Sequence, residues 1–87
     1  MADLEGIQKK VEGALPEAQV AVQDLTGTKD HLRLIIVAPQ FDGLLMIKQH
    51  RMIYDILSDD MEANGGGIHA LSLSTYTPEQ WEEQKGK

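Results

Sequence analysis

Cysteine is absent from this sequence, which excludes disulfide bonds, thiolate catalysis and cysteine-based metal sites within the chain. No apolar run approaches the ~18 residues of a membrane-spanning helix, and the acidic start lacks the apolar core of a secretory signal. Basic residues are scarce, with 8 Lys and Arg against 14 Asp and Glu, for a net charge of −6. This charge disfavours non-specific nucleic-acid binding, which depends on clustered Lys and Arg. We expect a cytoplasmic protein that does not associate with membranes.

The remaining composition is that of one small folded domain. The 87 residues are 41% hydrophobic and 25% charged, which is typical of a globular protein and too apolar for a disordered one. Because domains of ~100–150 residues are the most common size, the chain has no room for a second folded unit. We expect residues 1–87 to form a single domain that ends in a frayed polar tail at 82–87.

The first half of the chain carries the patterns of one helix and two strands. Aliphatic residues at spacings of three and four predict an amphipathic first helix, with Leu4, Ile7, Val11 and Leu15 on one stripe. Pro16 ends this helix, because proline disfavours helical geometry at the residue before it. Alternating apolar residues predict strands at 19–23 and 31–37, and Pro39 ends the second. Their short, turn-rich connection at 26–30 predicts an antiparallel hairpin.

The second half predicts a long helix, a third strand and a short closing helix. After the turn at 41–43, one face of the helical pattern carries Met46, Ile53, Leu57 and Met61. Asn64 and the three glycines at 65–67 are expected to end this helix and to form a flexible joint. Residues 68–76 predict the third strand. A capping-box pattern over 77–80 then predicts the start of a helix that carries Trp81.

These elements follow the order α-β-β-α-β-α and define the fold class. A three-stranded sheet with one apolar face needs helices to cover that face. We therefore predict a two-layer α+β domain with helices on one face of the sheet.

Histidine is the main candidate for metal binding, since the chain has three histidines and no cysteine. His50 lies on the apolar side of the long helix and is typical of a packed structural histidine. His69 begins the third strand on the side of Leu71 and Leu73, a position typical of a hydrogen-bonded histidine at the rim of the core. His31 begins the second strand, where a solvent-facing histidine is typical. No pair has the spacing of a local metal motif, so a site would have to be assembled by the fold. We also find no nucleophile elbow and no phosphate-binding glycine loop, and we predict that the protein is not an enzyme.

A small basic patch is the other candidate site. Gly43 forms a turn, and Lys48, His50 and Arg51 follow within one turn of the long helix. Such a patch could face phosphates, or it could be an ordinary solvated helix face. Arg51 also lies four residues before Asp55, a spacing that allows an ion pair on the helix surface.

Five segments spread over more than half of the chain resemble, in this order, the BolA family. They are 31–34 (HLRL), 41–43 (FDG), 49–54 (QHRMIY), 68–73 (IHALSL) and 75–81 (TYTPEQW). The resemblance is greatest to short-loop bacterial members of the BolA or IbaG type. It implies a small α+β domain similar to a type II KH module, which agrees with the predicted order of elements.

The resemblance implies a partnership with a monothiol glutaredoxin across a shared [2Fe–2S] cluster, in iron–sulfur trafficking or iron sensing. Glutaredoxin and glutathione would supply the thiolates, so no cluster is expected on the isolated chain. His69 matches the family's histidine ligand. The family often has a second ligand in the loop between its first two strands, where this chain has Thr26-Gly27-Thr28. His31 is the nearest substitute, or the chain uses His69 alone.

Bacterial members of the family also imply an alternative role in transcription through DNA binding. The matching element is the turn and helix that carry Gly43, Lys48, His50 and Arg51. With a net charge of −6, we expect such binding to be weak and sensitive to salt. A third possible function is that of a protein–protein adaptor that needs no cluster. In each case we expect a monomer when the chain is alone, and a heterodimer with glutaredoxin in the cluster role.

Overall fold

The computed structural model describes residues 4–25, 27, 31–61 and 64–85. Its helices and strands are α1 (Leu4–Ala14), β1 (Gln19–Asp24), β2 (His31–Val37), α2 (Met46–Ile56), β3 (Ala70–Tyr76) and α3 (Pro78–Lys85). This order confirms the predicted α-β-β-α-β-α arrangement. Most of the turn predicted at 26–30 lies outside the described residues. Among the helices of the described ranges, none is long and apolar enough to cross a membrane.

The described strands form one mixed sheet in the order β1-β2-β3. β1 and β2 pair antiparallel, which confirms the predicted hairpin. β2 and β3 pair parallel, with His31 opposite Ala70 and Val37 opposite Tyr76. The two parallel strands therefore begin at one end of the sheet and finish together at the other.

The hydrophobic core lies between one face of this sheet and the helices α1 and α2. Alternation along β2 buries Leu32, Leu34 and Ile36 completely on that face. The apolar sides of α1 and α2 pack against these three residues, together with residues of the connecting segments. The core residues that face the sheet are Ile7, Val11, Leu15, Phe41, Ile53, Leu57 and Ile68. Burial of a side chain of this size contributes about 1.5–3 kcal/mol, so this one layer of contacts holds the sheet and both helices together.

The prediction that the helices lie on one face of the sheet is wrong for α3, because its Trp81 lies against Ala21, Ile35 and Val37 on the face opposite the core. Thr77 accepts a hydrogen bond from the backbone N–H of Gln80 at 3.2 Å, and the Gln80 side chain accepts one from the Thr77 N–H at 2.9 Å. This reciprocal pair confirms the predicted capping box. The Trp81 ring then packs against the Tyr76 ring, with their centres 5.3 Å apart and their planes tilted by 55°, and lines a small hollow with Val37. α3 continues to Lys85, so it includes most of the segment expected to be a frayed tail.

The long helix is shorter than predicted, because α2 ends at Ile56 and a short 3-10 helix follows at Ser58–Asp60. The prediction that Met46 lies on the buried face is also wrong, since 67% of this residue is exposed. The first turn of α2 extends beyond the apolar core, and Gln49 points inward there instead. Periodicity alone does not show where the sheet under a helix ends.

The three-glycine segment forms a hydrogen-bonded turn rather than the expected flexible joint. The N–H of Gly66 donates to the carbonyl of Met61, and the N–H of Ile68 donates to that of Asp60, both at 2.9 Å. Gly65 has a φ of 93°, and a Cβ at Gly66 would overlap the backbone of Asp60. Both positions therefore favour glycine.

Candidate functional site

Parallel pairing of β2 and β3 brings two of the candidate histidines together. His31 is the first residue of β2 and lies opposite Ala70, the first residue of β3. His69 directly precedes Ala70, so it reaches the same end of the sheet. The two imidazole ring centres are 5.0 Å apart, with their planes tilted by 54°. Two residues that are far apart in the sequence thus form one histidine pair.

The backbone around the histidine pair is held from both sides. The N–H of Leu25, at the end of β1, donates to the carbonyl of His31 at 2.9 Å. Ile68, next to His69, is fully buried and forms a β-bridge with Met61. These contacts hold the backbone of both histidines in place at the end of the sheet.

The histidine pair is open to solvent and has the donor atoms of a metal site. His31 is half-buried and His69 is exposed. Neutral imidazole nitrogen is a common metal ligand, and two rings bound at about 2.0–2.1 Å to one metal have centres about 5 Å apart. The observed spacing therefore suits two ligands of one metal ion. No larger group of three or more metal-binding side chains occurs within the described ranges.

The four residues of the predicted basic patch lie together at the start of α2. Gly43 adopts a φ of 80° in the turn before the helix, a conformation that favours glycine. Lys48 and Arg51 are exposed and His50 is half-buried. In the part of the chain that the structure describes, neither Lys48 nor Arg51 forms an ion pair, so the pair that the spacing of Arg51 and Asp55 allows is not formed.

The Gly43 turn and the start of α2 lie far from the histidine pair. Met46, at the start of α2, lines a hollow with Thr75 and Tyr76, which are the last residues of β3. The histidine pair lies at the opposite end of the same strand. The seven residues of β3 span six steps of about 3.3 Å, which separate these ends by ~20 Å. The structure therefore has two separate candidate surfaces rather than one.

Sequence reasoning missed an exposed apolar surface inside the basic patch. Leu45, Met46 and Ile47 are 70%, 67% and 65% exposed, and they lie between the Gly43 turn and Lys48. We call these three residues the α2 apolar surface. The uninterrupted apolar run at 44–47 could have indicated an exposed apolar surface, but helical periodicity placed Met46 in the core.

Sequence reasoning also missed Gln49, a polar residue that is only 6% exposed. Its side-chain nitrogen donates to the carbonyls of Phe41 and Leu44, at 3.1 Å and 2.9 Å. Its oxygen accepts a hydrogen bond of 2.7 Å from the Thr75 hydroxyl. One buried amide thus fastens the Gly43 turn to α2 and to the end of β3.

The chain matches the family model described as BolA-like protein over residues 8–80. It is 31% identical over 85 residues to the DNA-binding transcriptional regulator BolA of Escherichia coli, covering 90% of this chain and 78% of the regulator. It is 35% identical over 57 residues to human BolA-like protein 1, covering 66% of this chain but only 39% of the human protein. Among solved structures, a BolA homologue from Coxiella burnetii aligns with a TM-score of 0.73 and 31% identity, over 94% of this chain and 99% of that one.

Proposed function

The chain belongs to the BolA family and is homologous to bacterial BolA, and we propose that it acts in the cytoplasm as a non-enzymatic partner of a monothiol glutaredoxin. The two proteins would share a [2Fe–2S] cluster in iron–sulfur trafficking or iron sensing. The observation that carries this proposal is the 5.0 Å separation of the His31 and His69 rings.

In this proposal the chain contributes imidazole ligands and the partner contributes thiolates. Glutaredoxin and glutathione hold one iron, while His69 and His31 hold the other. The imidazoles of His69 and His31 would be the ligands that this chain supplies to the cluster, so the lack of cysteine in this chain is consistent with the role. Replacing thiolates with neutral imidazoles at one iron lowers the negative charge of the cluster and raises its reduction potential.

The chain's own structure supports His31 as the second ligand. The segment Thr26-Gly27-Thr28 has no side chain of the kind that binds iron in clusters. His31 and His69 both lie at the amino end of the parallel strands, where β-ladder contacts hold the backbone of each. A pair held in this way needs little rearrangement on binding, which favours a ligand role for both rings.

Absorption and circular dichroism of a reconstituted cluster test this proposal. A monothiol glutaredoxin, glutathione and iron are mixed with the wild-type chain, with His69→Ala or with His31→Ala. The wild type should change the visible spectrum of the glutaredoxin cluster, and each variant should lose that change. His50→Ala is the matched control, because His50 lies on α2 and should leave the change intact. An unaltered spectrum with the wild type, or the same change with His69→Ala, would overturn the proposal.

Nucleic-acid binding is a second candidate function. The relative in Escherichia coli is named as a DNA-binding transcriptional regulator, and Lys48 and Arg51 are exposed beside the Gly43 turn. If two cations contact phosphates, a plot of log affinity against log salt concentration has a slope of about −2. The double variant Lys48→Ala/Arg51→Ala should flatten this slope, whereas Lys9→Ala/Lys85→Ala removes two charges elsewhere and should not. Equal slopes for both double variants would exclude the patch as the DNA contact.

A further inference from the structure

One face of the sheet points away from the core, and the described residues cover only part of it. At the far end of this outer face, Trp81 of α3 lies against Ile35 and Val37 of β2. Arg33 points out of the same face nearer the start of β2, because side chains alternate along a strand. It is exposed, as are the residues beside it on β1 and β3. The part of the outer face next to the histidine pair is therefore open to solvent.

Arg33 supplies a positive charge to this open part. It follows His31 by two residues on the same face of β2, which is about 7 Å along a strand. Its neighbours on the adjacent strands are Gln23 and Ser72, which carry no charge. Its guanidinium donates to the Ser74 hydroxyl at 3.1 Å, and it belongs to none of the ion pairs within the described ranges. An arginine has five N–H donors, so donors remain for a carboxylate of another molecule.

An exposed apolar residue borders the histidine pair on the same face. The N–H of Leu25 donates to the carbonyl of His31, one step beyond the pairing of Asp24 with Leu32, so Leu25 lies opposite His31. Alternation along β1 places its side chain on the outer face, where 54% of the residue is exposed. We call Leu25, His31 and Arg33 the β2 outer surface.

We propose that the β2 outer surface is the docking site of the glutaredoxin, with a carboxylate of that protein on Arg33 and an apolar side chain on Leu25. The inference rests on the cluster partnership proposed above and adds the face from which the partner approaches. Charge complementarity supports it, because an unpaired arginine among neutral neighbours matches a carboxylate and binds it through two parallel N–H bonds. The surface is also continuous with the histidine pair, so one partner covers both.

Other occupants match this surface less well. A second copy related by a two-fold axis would bring the same three residues, none of which is acidic, so Arg33 would meet no carboxylate among them. A nucleic-acid strand would find a single cation there, on a chain of net charge −6. A protein that shares the cluster at the histidine pair needs only one acidic and one apolar side chain beside its own cluster ligands.

Titration of the cluster-loaded glutaredoxin with this chain, followed by visible circular dichroism, tests the docking site. The midpoint of the titration reports affinity, and the change at saturation reports histidine ligation. Arg33→Gln should weaken binding by about three- to tenfold, as expected for an arginine–carboxylate pair that binding partly desolvates. The spectrum at saturation should stay that of the wild type, because both histidines remain. Lys9→Gln is the matched control, since it removes one exposed positive charge from α1, on the other face of the sheet.

Leu25→Ser tests the apolar contact in the same titration. It should weaken binding by about threefold or more, because apolar surface is no longer removed from water on docking. Leu45→Ser is its control, since Leu45 is 70% exposed and belongs to the α2 apolar surface. Added salt should narrow the difference between Arg33→Gln and the wild type, because salt screens exposed charge pairs.

The outcomes separate this inference from the cluster proposal. If the wild type changes the spectrum but Arg33→Gln binds as tightly as Lys9→Gln, the docking site is wrong and the cluster proposal stands. A wild type that leaves the spectrum unchanged would overturn both. An effect of Arg33→Gln that salt does not reduce would exclude the ion pair. Sedimentation of the chain alone at twice 9.6 kDa, abolished by Leu25→Ser, would assign the surface to a second copy instead.

Discussion

Gln49→Met offers a direct test of the buried polar contact that fixes the start of α2. Methionine has nearly the same length as glutamine and favours helices, so the substitution removes hydrogen bonds with little change in volume or helix propensity. Gln49 donates to two carbonyls and accepts from the Thr75 hydroxyl. The substitution removes all three bonds. The Phe41 and Leu44 carbonyls and the Thr75 hydroxyl then lie beside a methionine side chain that cannot form hydrogen bonds with them.

The expected loss of stability follows from these three bonds. A typical hydrogen bond contributes about 0.5–1.5 kcal/mol net, and a buried group left without a partner costs about 1–3 kcal/mol. Some of the freed groups will reach water, so we expect the free energy of unfolding to fall by roughly 2–4 kcal/mol. At ~0.05–0.15 kcal/mol per residue, the whole domain has only about 4–13 kcal/mol. At ~4–8 °C per kcal/mol, the midpoint of thermal unfolding should fall by roughly 10–30 °C.

Urea unfolding, followed by far-ultraviolet circular dichroism and by the fluorescence of Trp81, measures this loss. Gln84→Met, at an exposed position of α3, is the control and should change the free energy of unfolding by less than ~0.5 kcal/mol. Thr75→Val removes one of the three bonds, so the double variant should cost less than the sum of the single changes. A loss below ~0.5 kcal/mol for Gln49→Met, or strict additivity with Thr75→Val, would refute the role assigned to this amide.

Three further predictions concern the turns and the surface. Gly66→Ala should lower the free energy of urea unfolding by more than ~1 kcal/mol, because the new Cβ would overlap the Asp60 backbone. Gly13→Ala in α1 is the control: its Cβ meets open space, so it should raise the free energy of unfolding by ~0.5–1 kcal/mol. Equal effects of the two substitutions would contradict this prediction. Thr77→Ala should cost about 0.5–2 kcal/mol through loss of the α3 cap, and Thr77→Ser should restore most of it. Lys10 donates a hydrogen bond of 2.8 Å to the Asp60 carboxylate, and this bond raises the pKa of Lys10 above its ordinary value of 10.5. Lys10→Met should therefore lower the urea midpoint at neutral pH, and its difference from wild type should vanish as pH rises through that raised pKa; a difference that persists there would contradict the pairing.

Local patterns predicted most of the elements, for reasons that particular residues make clear. In α1, the spacing of Ile7 and Val11 indicates which side of the helix is buried. In β2, the alternation of Leu32 and Leu34 does the same for the strand. Burial leaves a periodic trace in the sequence because apolar side chains must repeat with the period of the backbone. The same reasoning failed at Met46, because a helical period continues beyond the point where the core that it covers has ended.

By itself, the sequence determined the fold class, the order of the elements, the absence of thiol chemistry and the resemblance to the BolA family. Only the tertiary structure decided that the His31 and His69 rings lie 5.0 Å apart, and that Leu45, Met46 and Ile47 are exposed next to the basic patch. The register between β2 and β3 sets the first arrangement, and the packing of α2 against the sheet sets the second. These contacts join segments far apart in the chain, and local periodicity carries no information about which distant partner a strand or helix will meet.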